Sequence, residues 1–346
     1  MAGHELTAPA SAGWRPAKPP RELGTSLRML GAVLLASLRA SLRRLLRGPR
    51  RAAWGFRFEL LAETQRATWN LMPKVGVVRW RHASQLFGLS ARGVSRRSVD
   101  AGGVVAEWFE PPAANGPTVL FLHGGGFVLG SPDTHARLIA ELAVACGSRV
   151  LAVDYRLAPE HPRPAALEDA LAAYRALLAS GVKPQDLIVC GDSAGGNLTL
   201  ITLLALRRAG DALPAGAALI CPWVDLADSG ASFQTNARFD YISDEVGKLA
   251  AGHYLNGADP SDPEVSPLYA DLAGLPPLLV QAGEAETLVD QVRDFAARAR
   301  TAGVDTQLSV YDDMIHDWHL FSFLALEARR AIEEIAEFAR KTTGHT

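Results

Sequence analysis

The chain has 346 residues, 48% hydrophobic and 21% charged, a composition that buries a full core and excludes a disordered or fibrous protein. The net charge of −2 hides an asymmetry: residues 1–100 hold 18 Lys and Arg against 5 Asp and Glu, the remainder 17 against 32. A basic first segment ahead of an acidic body fits an arm that docks on its own domain or on an anionic surface, with no nucleic-acid partner expected.

Residues 1–24 are rich in Pro, Ala and Gly and are expected to be poorly ordered. Residues 25–47 read as an amphipathic helix. At 100° per residue, Leu27, Leu30, Leu34, Leu38, Leu42 and Leu45 share one face. Arg28, Arg39, Arg43 and Arg47 take the other, and Arg44 breaks the pattern. The uncharged run 29–38 covers about half of the ~20 residues a spanning helix needs. A secretory signal fits poorly, because more arginines follow the run and no clean small-residue cleavage site does. Two readings stay open: packing on the chain's own domain as part of a cap, or peripheral contact with an anionic membrane through residues 25–51. Residues 1–90 are thus a basic N-terminal segment and 91–346 the catalytic domain.

From Val94 onward strand and helix alternate. Strands are expected at 104–109, 118–122, 149–154, 187–190, 215–221, 277–282 and 306–311, and helices at 133–146, 165–178, 289–302 and 317–341. That rhythm means an α/β fold with a mainly parallel sheet covered by helices on both faces. Residues 225–263 interrupt it with mixed polar and aromatic residues, as a cap insertion would. Cys146, Cys190 and Cys221 are odd in number and widely spaced, which suits buried free thiols in a reducing, cytoplasmic compartment. No spacing of His and Cys suggests a metal site, and no glycine loop of the P-loop type is present.

Gly191-Asp192-Ser193-Ala194-Gly195 follows the apolar run 187–190 and precedes a long apolar helix. Small residues two before and two after a serine let the backbone bend sharply enough to expose Oγ, and the helix N-terminus favours negative charge beside it. His123-Gly124-Gly125-Gly126-Phe127 follows the strand 118–122, where three glycines bring backbone N–H groups close to a substrate, as an oxyanion hole demands. His123 itself is read as a brace for that loop. A serine nucleophile needs a base, and His316 stands in the loop after the last strand. His319, its rival, is expected inside the C-terminal helix. The orienting acid should lie in 283–290, where Glu284, Glu286 and Asp290 are all candidates. Phe127, Trp223, Phe239 and Tyr241 are candidate walls of an apolar pocket, though each could equally be core.

The blocks 123–127, 191–196 and 154–162, with Pro222-Trp223-Val224-Asp225-Leu226 and Ser266-Pro267-Leu268, resemble the hormone-sensitive-lipase-like bacterial esterases, over about residues 94–340. The resemblance implies an α/β-hydrolase fold with a helical cap, Ser193 as nucleophile and His316 as base. It implies Gly125, Gly126 and Ala194 as oxyanion-hole donors. The family commonly has Asp-Pro-Leu at the acid position; this chain has Glu286-Thr287-Leu288, which makes Glu286 the acid. The expected activity is hydrolysis of short- to medium-chain carboxylic esters through an acyl-enzyme, without metal or organic cofactor; monomer and homodimer both stay open. Lipase, lactonase or amidase activity would use the same residues. A ligand receptor on this scaffold, like the plant gibberellin receptors, lacks the histidine that this chain keeps.

Overall fold

Apolar runs bounded by glycine and proline become the strands of one eight-stranded sheet. The computed structural model describes residues 6–7, 23–84 and 90–345. Apart from residues 6–7 and 23–24, the expectation for 1–24 lies outside the described residues. Four helices come first: α1 (Leu23–Arg47), α2 (Phe56–Trp69), α3 (Met72–Val75) and α4 (Val77–Ser84). Then follow β1 (Ser95–Asp100), β2 (Val105–Glu110), β3 (Thr118–Leu122), α5 (Ala136–Cys146), β4 (Val150–Val153), α6 (Ala165–Ala179), β5 (Leu187–Asp192) and α7 (Ala194–Ala209). The chain continues through β6 (Gly216–Ile220), α8 (Ser232–Thr235), α9 (Asp244–Leu255), β7 (Leu278–Gly283), α10 (Val289–Thr301), β8 (Thr306–Tyr311) and α11 (Leu326–Thr343).

The strand order is β1-β2-β4-β3-β5-β6-β7-β8, with β2 antiparallel to β1 and β4 and all later pairs parallel. Alternation along the strands divides the core into two layers. Leu120, Leu122, Val189, Leu219 and Val280 face the layer that holds α6, α7 and α10. Val119, Phe121, Ile188, Ala218, Ile220 and Leu279 face α5 and α11. Every residue of β5 and β7 is buried, as a parallel sheet covered on both faces requires. The three cysteines are free and buried.

One expectation is corrected, and two features went unread. The predicted helix 317–341 is two elements, a single 3₁₀ turn at Trp318–Phe321 and then α11, so His319 does not lie in the long helix. The edge strand β1 and the helices α2 to α4 were not picked out individually. β1 reads Ser-Arg-Arg-Ser-Val-Asp, a polar sequence suited to an edge, and α2 has almost no amphipathic pattern. Most consequential is the orientation of α1. Thr25, Met29 and Ala40 are its buried residues, and Arg43 and Arg44 both bind the buried carboxylate of Glu59 on α2. The leucine face points outward, with Leu34, Leu38 and Leu45 respectively 63, 66 and 83% exposed. Among the described residues no helix is long and apolar enough to cross a membrane.

Candidate active site

Leu122 of β3 pairs with Gly191 of β5, so the loop after one strand and the turn after the other emerge side by side. Ser193 occupies that turn with φ 53° and ψ −118°, outside the ordinary regions for a side-chain-bearing residue. The bend works only between glycines: a Cβ at Gly195 would strike the Leu122 carbonyl, and one at Gly191 the Gly195 carbonyl. The turn is held by the Ser193 N–H donating to Ile220 O (2.8 Å) and the Trp223 N–H donating to Ser193 O (3.0 Å).

His316 arrives from the loop after β8. The Ser193 hydroxyl donates to its Nε2 at 2.8 Å, and its Nδ1–H donates to Glu286 Oε2 at 2.9 Å. All three side chains are buried. The other acid candidates are engaged elsewhere: Glu284 pairs with Arg51 at 2.6 Å, and Asp290 accepts the Ser232 N–H at 2.8 Å. His319 donates Nε2–H to Gln281 at 2.9 Å, and burial pushes its pKa down to about 3. It is a neutral core residue.

Asp317, one residue past His316, lies with Oδ2 3.2 Å from the His316 Nε2. Its backbone is left-handed, which turns the carboxylate back onto the imidazole. Burial alone would push the imidazolium down, but the Asp317 and Glu286 carboxylates outweigh it and hold His316 well above its ordinary value. Burial in turn raises Asp317 to about 6, against the pull of His316. Asp240, also raised to about 6 by burial, accepts the His316 backbone N–H at 3.2 Å. With its other oxygen it accepts the Thr287 N–H at 2.8 Å, tying the loop of His316 to the loop of Glu286. Cys221, His316 and Asp317 bring possible ligand atoms within 4.8 Å of one another. His316 already faces Ser193 there, and burial pushes the Cys221 thiol well up, away from the thiolate a metal would need.

The glycine loop is fixed from below. Asp192 Oδ1 accepts the Gly124 N–H at 3.0 Å, and its Oδ2 accepts His135 Nε2–H at 3.1 Å. Tyr155 donates to His123 O at 2.6 Å and stacks on the His123 ring, centroids 4.2 Å apart. Burial holds His123 neutral, near a pKa of about 3, and its Nδ1–H donates to Gly124 O at 2.9 Å, the bracing expected of it. Gly125 and Gly126 have φ of 117° and 62°. The N–H groups of Gly125, Gly126 and Ala194 find no acceptor among the described residues, and Gly125 and Gly126 line the same space as Ser193.

That space is a cavity of about 420 Å³, lined by Ser193 and His316, by Met29 and Val33 of α1, and by Leu61, Thr68, Trp69, Met72 and Trp80 of α2 to α4. Trp223, Phe233, Tyr241, Val246 and Ala250 close it from the segment 225–263 and its approach. Of the four aromatic candidates, Trp223 and Tyr241 face the cavity, Tyr241 edge-on to His316 with centroids 5.8 Å apart. Phe127 and Phe239 do not. Phe127 is stacked on Tyr254 in the core, with centroids 3.8 Å apart, and Phe239 sits between the guanidinium groups of Arg51 and Arg238. Neither position is visible in the sequence, because an aromatic residue in a loop serves pocket and core equally well.

Asp192, His135, Asp240 and Asp317 were not singled out by sequence reasoning. Only Asp192 and Asp317 carried a signal, each being adjacent to a residue with a proposed role. The N-terminal segment also reaches the site. Arg51 pairs with Glu284 (2.6 Å) and Asp313 (2.7 Å), and Trp54 Nε1–H donates to Asp313 O (2.7 Å), on the two loops that carry Glu286 and His316. Arg81 of α4 is buried, is bidentate to Glu160, and donates to Val128 O at 2.7 Å.

Comparison with known proteins matches residues 119–320 to a family described as having the alpha/beta hydrolase fold. An acetyl-hydrolase of Streptomyces hygroscopicus is 45% identical, the match covering 71% of this chain and 83% of that protein. An esterase of Acinetobacter venetianus is 39% identical, over 71% and 82%. A crystal structure of an esterase from the bacterial hormone-sensitive lipase family aligns with a TM-score of 0.73 at 39% identity, covering 93% of this chain and 99% of the other.

Proposed function

We infer the chemistry of this chain from the family it belongs to: it is an α/β hydrolase of the hormone-sensitive-lipase-like bacterial esterases, and a carboxylic ester hydrolase. Ser193 is the nucleophile, His316 the base and Glu286 the acid that orients it. His316 Nε2 takes the Ser193 proton as Oγ attacks the ester carbonyl, and Glu286 stabilises the imidazolium through Nδ1–H. Gly125, Gly126 and Ala194 donate their N–H groups to the oxyanion, with the α7 N-terminus adding its dipole. His316 then protonates the leaving alcohol and activates water to release the acyl group. The observation that carries this reading is the unbroken chain from Ser193 through His316 to Glu286, at 2.8 and 2.9 Å, opening onto an apolar cavity.

A cavity of about 420 Å³ is at the smaller end of ligand sites and suits short- to medium-chain acyl groups. Residues 1–90 and 225–263 act together as the cap, since both supply walls to the cavity. Peripheral attachment to an anionic membrane through residues 25–51 belongs to the same reading, supported by the exposed leucine face of α1. The test is a series of p-nitrophenyl esters of rising acyl length, with the matching amide and with Ser193→Ala as control. Rates that peak at short or medium chains and vanish in Ser193→Ala are expected. Turnover by the Ser193→Ala protein above a few per cent of wild type overturns the mechanism.

A further inference from the structure

α1 is about 37 Å long and only one helix thick where it walls the cavity. Met29 and Val33 line the inside, while Leu30 and Leu34, each one residue further on, face out. Nine leucines of this helix are 47 to 83% exposed. At 100° per residue they fall within an arc of about 160° that contains no charged side chain except at its border. Such an area of continuous apolar surface marks a contact with something apolar.

The shape and charge of the face decide between occupants. A coiled-coil partner needs a narrow seam of two positions in seven, and this arc is several positions wider. Arg28 and Arg39 stand at its border, with Arg47 at the helix end and Arg57 at the start of α2. All four are exposed, and none pairs with a carboxylate among the described residues. Against a second copy of this helix those arginines would repel one another. Against an anionic lipid surface they are complementary, and a broad apolar face with basic flanks is the form of helix that lies in the headgroup plane. Since α1 is too polar to span, it can only lie flat.

We propose that the outer face of α1 seats on an anionic bilayer, so that the cavity behind it is presented to the acyl phase and takes esters dissolved in that surface. The proposal rests on the esterase and membrane-attachment reading above and adds the face, the lipid charge and the source of substrate. The arginines that would confuse the picture, Arg43 and Arg44, are spent inward on Glu59, so the outer charge belongs to the other four.

The full chain is sedimented with phosphatidylcholine vesicles, with or without one quarter phosphatidylglycerol, beside Leu34→Gln/Leu38→Gln/Leu42→Gln/Leu45→Gln. None of these leucines touches the cavity. Wild type should bind the anionic vesicles, and the variant at least about tenfold less. Hydrolysis of soluble p-nitrophenyl butyrate should be equal in both, and hydrolysis of a long-chain ester dissolved in the vesicles should fall in the variant with its binding. Arg28→Gln/Arg39→Gln should lose about fivefold per arginine on anionic vesicles only. Absence of wild-type binding, or equal binding by the leucine variant, overturns the proposal. So does light scattering that shows an oligomer dissolved by the leucine substitutions without any vesicle binding. Failure of wild type to cleave the soluble butyrate would break the esterase reading instead, and leave the sedimentation result standing.

Discussion

The sheet-bearing body and the N-terminal helices line the same cavity but are held by different forces. The body is joined by fully buried strands and two apolar layers, with Leu120, Phe121, Ile188 and Val189 inaccessible. The helices α1 to α4 join those layers through Met29, Phe58, Met72 and Trp80, but they also hang on arginines: Arg43 and Arg44 of α1 on Glu59 of α2, Arg51 on Glu284 and Asp313, Arg81 on Glu160. Apolar packing in the body offers no charge to titrate or screen, whereas ion pairs, even partly buried ones such as these, respond to pH and less strongly to salt. Bond-breaking chemistry and access to it are therefore exposed to different perturbations, and substitutions should separate them.

The largest effect should come from the body alone. His316→Ala is expected to lower kcat by about 10⁴-fold or more with Tm and vesicle binding unchanged, measured on a soluble ester and by calorimetry. A residual rate within tenfold of wild type would place the base elsewhere. Next, Glu286→Gln should cost about 10²–10⁴ in kcat, because an amide neither fixes the Nδ1–H tautomer nor stabilises the imidazolium. Asp290→Asn, whose carboxylate serves the Ser232 turn and pairs with Arg293, should cost little in kcat. Reversal of the two would move the acid to Asp290.

The site was more legible than its roof, for physical reasons. Buried parallel strands are short apolar runs punctuated by glycine and proline, and those at 118–122 and 306–311 coincide with β3 and β8 to the residue. The turn around Ser193 is legible because its steric demand admits only glycine on either side. α1 was legible as a helix but not in orientation. Leucines in one arc reveal a face without revealing whether water, protein or lipid lies beyond it. The docking partner Glu59 is one of two acids, with Glu63, in a helix with almost no amphipathic pattern to say which one is buried. Asp240 is beyond sequence reasoning altogether, since its role depends on two loops that approach only in the folded chain.

A substitution on the roof should change access more than chemistry. Glu59→Gln removes the buried anion between two arginines and should loosen α1 from α2 by about 1–3 kcal/mol. Faster proteolysis within 23–84 and a raised KM with kcat nearly kept are the expected readings. A kcat loss as large as that of Glu286→Gln would mean that the two regions are not separable. The smallest effect concerns pH. His316 must be neutral to act as base, so kcat/KM falls as pH drops through its raised pKa. Asp317→Asn removes part of what raises it, and the acid limb should shift to lower pH while the rate on the alkaline plateau changes little. A profile that does not move would exclude Asp317 from setting the limb.

The stitch made by Arg51 and Trp54 has a practical edge. Both residues lie in the short connection between α1 and α2, yet they grip the loops that deliver Glu286 and His316. A chain shortened to begin at residue 48 sheds the leucine face together with the Met29 and Val33 wall and both arginine partners of Glu59, yet keeps both grips. One that begins at residue 55 strands the Glu284 and Asp313 carboxylates and leaves the Asp313 carbonyl without its donor. Seven residues of difference in where the protein starts thus separate the loss of a whole wall helix from the slackening of the two loops behind it.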